Sequence, residues 1–184
     1  MVNNNLSSTL VISAMLFLII LTRISHELTS FALPDASLII VFAAGLLLRE
    51  VKYLITLVIG IIFLDNFAIY SNGYNELSLF NISYVMHLAV YPMSWWFAQK
   101  LKLFDLLNFS TIILVVIFLS FSISYGSYFY LYDNPTNALG LLSYLLNNFT
   151  SYFLINGCYA ALLYIILKLN TKLSPLTTET ITSK

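Results

Sequence analysis

The side chains able to do chemistry are few, and they stand apart from one another: His26, Asp35, Asp65, His87 and the single cysteine, Cys158. His26, in Arg23-Ile24-Ser25-His26-Glu27, reads as a residue of the first outer loop. A neutral imidazole there is either solvated or a metal ligand, including to a metal carried inside a bound molecule. Asp35, in Leu33-Pro34-Asp35-Ala36-Ser37, precedes a short apolar run and reads as its N-cap, since a carboxylate accepts the orphan amide hydrogens of a first helical turn. Asp65, in Phe63-Leu64-Asp65-Asn66-Phe67, falls near the outer end of an apolar segment. It reads either as a ligand contact or loop-positioning group, or as an acid reaching headgroup water. His87 sits mid-segment before Tyr91-Pro92, where a neutral histidine bonded across to another helix is favoured over a proton relay. Cys158 reads as a small packed hydrophobe, and one cysteine excludes an internal disulfide. The phosphate-loop, H-E-x-x-H and G-x-S-x-G patterns are absent from the sequence, so the chain cannot itself drive transport with ATP.

The elements that must position these groups are apolar. Hydrophobic residues make up 60% of the 184 and charged residues 9%, against about 25% charged in soluble domains. That balance indicates an all-α membrane protein. A net charge of zero gives no reason to invoke nucleic acid. Six apolar segments can be drawn, at 6–24, 36–48, 51–70, 79–99, 106–131 and 138–169, within one transmembrane domain over 1–173. Residues 174–184 read as a flexible C-terminal tail. The last segment exceeds one span, and Asn147-Asn148 is a plausible break. With six spans, Arg49, Lys52, Lys100, Lys102, Lys168, Lys172 and Lys184 share one side and Arg23 alone takes the other, which places both termini in the cytoplasm. The first segment reads as a retained helix rather than a cleaved signal.

One segment is too short. A helix from Ala36 to Leu48 rises only about 20 Å against a hydrocarbon core of about 30 Å, so it starts below the surface and the loop before it dips into the protein. Irregular backbone at that depth requires surrounding protein or a water-filled cavity. The same side gathers asparagines and the tyrosines Tyr84, Tyr125, Tyr128, Tyr144 and Tyr152 among others. An interface belt explains tyrosines in general, but an aromatic wall with amides also suits a large, uncharged or amide-bearing ligand.

Leu33-Pro34-Asp35-Ala36-Ser37, Phe42-Ala43-Ala44-Gly45 and Asp65-Asn66-Phe67-Ala68-Ile69 resemble the small bacterial cobalamin transporters. These are solitary S-components, related to the substrate-binding subunits of energy-coupling-factor vitamin transporters. The resemblance runs on more loosely through Tyr84, Tyr91-Pro92-Met93-Ser94-Trp95, Ser124 to Tyr130 and Thr150-Ser151-Tyr152. It implies a six-helix S-component bundle in the bacterial inner membrane, with an outer corrinoid pocket roofed by the first, third and fifth loops. It also implies His26 beside the corrinoid as an axial cobalt ligand, and a shared energy-coupling membrane and ATPase complex as partner. Two departures stand out. Leu79 and Ile82 occupy the places of a cysteine and a proline that the family carries in its third loop, and Thr9 and Ser13 give only a weak small-x-x-x-small docking pattern.

The expected function is therefore non-enzymatic: capture of a vitamin, a corrinoid first, from the outer side and delivery to the cytoplasm, with no intrinsic cofactor. Expected ligand contacts are His26, Asp35, Asp65, Tyr84, Tyr128 and Tyr152. The alternatives are a structural membrane protein of the cell-envelope machinery and a membrane enzyme in which His87 and Asp65 converge.

Overall fold

A computed structural model describes residues 5–28, 33–71, 81–101, 105–128 and 138–173. Among these the chain forms six α-helices: α1 (Asn5–Leu28), α2 (Ser37–Leu47), α3 (Val51–Ser71), α4 (Ile82–Gln99), α5 (Leu106–Tyr128) and α6 (Ala138–Leu173). Three stretches are long and apolar enough to cross a membrane, Val51–Tyr70, Leu106–Ser127 and Leu145–Leu169; Ser8–Arg23 and Ser37–Leu47 are shorter apolar helices. The expected tail at 174–184 and the connections at 29–32, 72–80 and 129–137 lie outside the described residues, and with them the family's third-loop positions before Asn81.

The bundle is built around its shortest helix. Every residue of α2 from Ser37 to Leu46 is buried. One side of it, through Ile40, Val41 and Ala44, packs with Ile12, Met15 and Ile19 of α1, Leu57 and Ile61 of α3, and Tyr91 and Trp95 of α4. The other side, through Leu38, Phe42 and Leu46, packs with Val90 and Ala98 of α4, Phe109, Ile113 and Ile117 of α5, and Ala160 of α6. A helix apolar all round is a helix enclosed by others. Outward faces are apolar as well: Phe17, Ile59, Phe63, Phe118, Leu162 and Ile166 are all more than half exposed. Polar side chains on these surfaces bond back to their own helix, Thr56 to Lys52 O, Thr111 to Leu107 O, Ser122 to Phe118 O and Thr150 to Leu146 O, at 2.8–2.9 Å. That habit suits a solvent which offers no hydrogen bonds of its own.

Both ends of α2 are set by local chemistry. Its N-cap residue is Ala36, which makes no side-chain cap bond, so Asp35 is not the N-cap. The carboxylate still meets the first turn from one position further back. Asp35 Oδ1 accepts from the Ser37 amide at 2.9 Å and from the Ser37 hydroxyl at 2.5 Å. At the other end Arg49 takes a left-handed conformation, φ 58°, and its amide donates to Ala44 O at 3.3 Å. This left-handed stop is usually the work of glycine. Between these ends α2 lies against α4 so closely that a Cβ on Gly45 would stand 2.5 Å from the Trp95 carbonyl oxygen and 3.0 Å from its Cα. Ser94 Oγ donates to Leu38 O at 3.3 Å across the same contact.

Two expectations about element boundaries are corrected. His26 belongs to the last turns of α1 rather than to a loop, because that helix continues to Leu28. Asn147-Asn148 does not break α6, which is helical from Ala138 to Leu173. Further along the same helix Asn156 Nδ2 donates to Tyr152 O at 2.9 Å.

Candidate functional site

The ends of the helices that carry Arg23, Asp35, Asp65, Tyr84, His87 and Ser124 meet at one end of the bundle, and Arg23 ties them together. Its side chain is only 12% exposed. From α1 its Nε donates to Ser37 Oγ of α2 at 3.1 Å, and Nη1 donates to Asp65 Oδ1 of α3. Nη2 donates to Asp35 Oδ2 at 3.2 Å and to the Tyr91 hydroxyl oxygen of α4 at 2.9 Å. A planar guanidinium presents five donors in a fixed fork. Here that fork reaches four acceptors on three helices and the turn before α2. The remaining Asp65 oxygen accepts from the Tyr84 hydroxyl at 2.8 Å. One cation thus faces two carboxylates, and the cluster carries a net negative charge.

A second chain of bonds starts from the same knot. The Tyr91 hydroxyl, which accepts from Arg23, is also hydrogen-bonded to His87 Nε2 at 3.2 Å. His87 Nδ1 in turn is hydrogen-bonded to Ser124 Oγ of α5 at 2.6 Å, so both ring nitrogens have partners. His87 is the cross-helix histidine expected from its mid-segment position. His87 is linked to Asp65 through Tyr91 and Arg23.

Beside this knot opens a cavity of about 490 Å³. Pro34, Asp35 and Leu38 form the wall at the start of α2, and His87 and Tyr91 continue it on α4. Ser124 and Tyr125 of α5, with Tyr152 and Asn156 of α6, line it as well. The α5–α6 wall is aromatic: Phe121 stacks on Tyr125 at 4.7 Å, and Tyr125 meets Tyr152 edge-on at 5.7 Å. The turn into α2 is fastened to α6 by the Tyr159 hydroxyl, which donates to Pro34 O at 2.8 Å. Asp35 connects knot and cavity, with 44% of its side chain exposed. Burial alone would raise its carboxyl, but the Arg23 guanidinium and the two bonds from Ser37 outweigh that and hold it below the ordinary carboxylate range.

The six expected contact residues divide. Asp35 and Tyr152 line the cavity. Asp65 and Tyr84 stand in the knot beside it, Asp65 bonded to Arg23 and Tyr84 to Asp65. His26 and Tyr128 are helical, at the ends of α1 and α5, and their side chains lie outside the described residues. Two residues that sequence reasoning passed over matter more. Arg23 had one signal, being the lone base on the wrong side of the charge pattern. Asn156 had none beyond its place in an apolar run. Cys158 is exposed rather than packed within the bundle, on an outer apolar groove with Pro34, Leu154 and Tyr159.

The arrangement is a knot of paired charges beside a cavity. Its ionised groups pair with each other, its hydroxyls and amides face a small-molecule-sized space, and its walls are aromatic. Among the described residues no three His, Cys, Asp or Glu side chains stand close enough to hold a metal ion. The class so defined is an all-helical protein with membrane-length apolar helices and, at one end of the bundle, a cavity of mixed polar and aromatic lining. Compared with protein-family models and with curated proteins, the chain matches none.

Proposed function

We propose that this chain is a six-span transporter of the bacterial inner membrane, of the solitary S-component type, with both termini cytoplasmic. It captures a vitamin on the outer side, a corrinoid first, and delivers it inward. The observation that carries this reading is the cavity beside the late start of α2, bounded by Asp35, His87, Tyr125, Tyr152 and Asn156. Its volume falls in the range of about 300–1,000 Å³ usual for small-molecule sites. A whole corrinoid is larger, so it enters by an edge, with the rest of the ring at the mouth. In this reading the six helices alternate in direction, so that the C-terminal ends of α1, α3 and α5 and the N-terminal ends of α2, α4 and α6 share the outer face, opposite Arg49, Lys52 and Lys100. The excess of basic residues at that opposite face supports a cytoplasmic assignment for it.

Two measurements test the proposal. Equilibrium binding of cyanocobalamin to the purified chain is expected to saturate. Absence of saturable binding well above micromolar concentrations leaves a structural membrane protein of the envelope as the better account. For orientation, Cys158→Ala with a cysteine introduced at Glu50 is expected to react with an impermeant thiol reagent in inside-out vesicles only. Labelling from the outside reverses the topology.

A further inference from the structure

We propose that the cavity has a side door onto the bilayer, closed by the turn at 33–36 lying against α6, and that the Tyr159–Pro34 hydrogen bond is its latch. When the latch parts, the cavity joins the apolar groove that holds Cys158. This rests on the six-span reading for the hydrocarbon outside that groove, and not on which ligand the cavity takes.

The shared wall is the first ground. Pro34 and Ile155 line both spaces, the cavity of about 490 Å³ and the groove of about 310 Å³. One of these side chains comes from the turn and the other from α6, so the boundary runs along the seam between them. The cavity side carries Asp35, Ser124, Asn148 and Ser151, polar groups that hold water. The groove side adds Leu154, Cys158 and Tyr159. Leu154 is 58% exposed, and the groove lies within Leu145–Leu169, a stretch long and apolar enough to cross a membrane. A hydrated space and a lipid-facing groove thus meet at one seam.

The second ground is how the seam is held. On its α2 side the turn is fixed: Asp35 accepts from Arg23 at 3.2 Å and from the Ser37 amide at 2.9 Å, and Ala36 O accepts from the Ile40 amide at 3.0 Å. Pro34 has no N–H, so its carbonyl is the one backbone group it can bond with. That carbonyl accepts from the Tyr159 hydroxyl at 2.8 Å. Beside hydrocarbon a carbonyl without a donor is costly, so the bond keeps the turn on α6. A water or ligand donor arriving from the cavity offers the same carbonyl a replacement, which lets the bond exchange at little net cost. The helix on the other side of the seam is lightly held. Among the described residues of α6 only Asn156 and Ala160 are buried, and an element with few buried contacts opens readily. The arrangement is a hinge at Asp35 and a latch at Pro34.

The test uses the full chain in phosphatidylcholine nanodiscs and the rate at which Cys158, its one thiol, reacts with a charged methanethiosulfonate. A charged reagent stays out of hydrocarbon, so a closed door shields Cys158. Tyr159→Phe removes the latch hydroxyl alone and is expected to speed the reaction about two- to tenfold, the worth of one hydrogen bond. Ile155→Ala thins the wall without touching the latch and is expected to speed it as well. The control reporter is Leu162→Cys in a Cys158→Ala chain, one turn further along α6 at a position 56% exposed, and Tyr159→Phe is expected to leave its rate unchanged. Tyr159→Phe without effect at Cys158, or with an equal effect at both reporters, overturns the latch, and Ile155→Ala without effect overturns the shared wall. Both results leave the transport reading standing. With the latch intact, Cys158 is expected to react about tenfold or more slowly than Glu50→Cys in the Cys158→Ala chain. Equal rates there overturn the bilayer placement of α6, and with it both the six-span reading and the door.

Discussion

Replacing Arg23 by methionine tests the central physical claim, that one guanidinium holds one end of this bundle together. Methionine preserves length and helix propensity but removes every donor and the charge. Asp65, at 21% side-chain exposure, then loses its cation, and Ser37 and Tyr91 lose a donor. Removing one partner of a buried pair costs about 3–5 kcal/mol, because the carboxylate left behind stays desolvated and uncompensated. At about 2–4 °C per kcal/mol for a chain of this size, the thermal midpoint falls on the order of 10 °C. Arg23→Lys is expected to lie between, since an ammonium keeps the charge but cannot reach four acceptors spread over three helices and a turn. The double variant Arg23→Met with Asp65→Asn is expected to lose less than the sum of the single changes, because each removes what makes the other costly. The assay is thermal unfolding in one detergent, followed by tryptophan fluorescence. A midpoint for Arg23→Met within about 1 °C of wild type would refute the reasoning, and strict additivity in the double variant would remove the pairing from it.

Close packing and acidity give two further expectations. Gly45→Ala is expected to lower the midpoint by the equivalent of about 1–3 kcal/mol, as the new methyl meets Trp95 backbone rather than a side chain that can swing away. Gly126→Ala, with nothing within 4 Å of the added Cβ, is its control and is expected to be neutral or stabilising; equal losses at both sites would dismiss the α2–α4 approach as the cause. The Asp35 carboxyl titrates below its unfolded value, so its contribution to stability is complete above about pH 4 and is lost as pH falls through the folded value. Midpoints recorded from pH 6 downwards should therefore decline more steeply for wild type than for Asp35→Asn, and parallel curves would show that Asp35 carries no such contribution.

Legibility in the sequence follows the range of the interactions. The six apolar segments were readable because each helix satisfies its own backbone within a few residues, and the limits of α3 agree to within a residue. The lateness of α2 was readable for the same reason: Pro34 and Asp35 act on the turn beside them. The end of α2 was harder, because Arg49 stands in the left-handed conformation where a glycine would have announced it. The position of His26 was misjudged because nothing local marks where α1 stops.

Arg23 lay beyond reach for a different reason. It pairs with residues 12, 42 and 68 positions away, and no local pattern registers a partner at that distance. From the sequence it was only a base on the wrong side. The fold turned it into the joint between α1, α2, α3 and α4. The sequence by itself determined that the chain is helical, apolar and interrupted before α2, since hydrophobic runs and turn chemistry act between neighbours. Tertiary structure alone decided which charges meet and that Asp35 and Asn156 come to line one cavity, because those depend on how whole helices lie against one another.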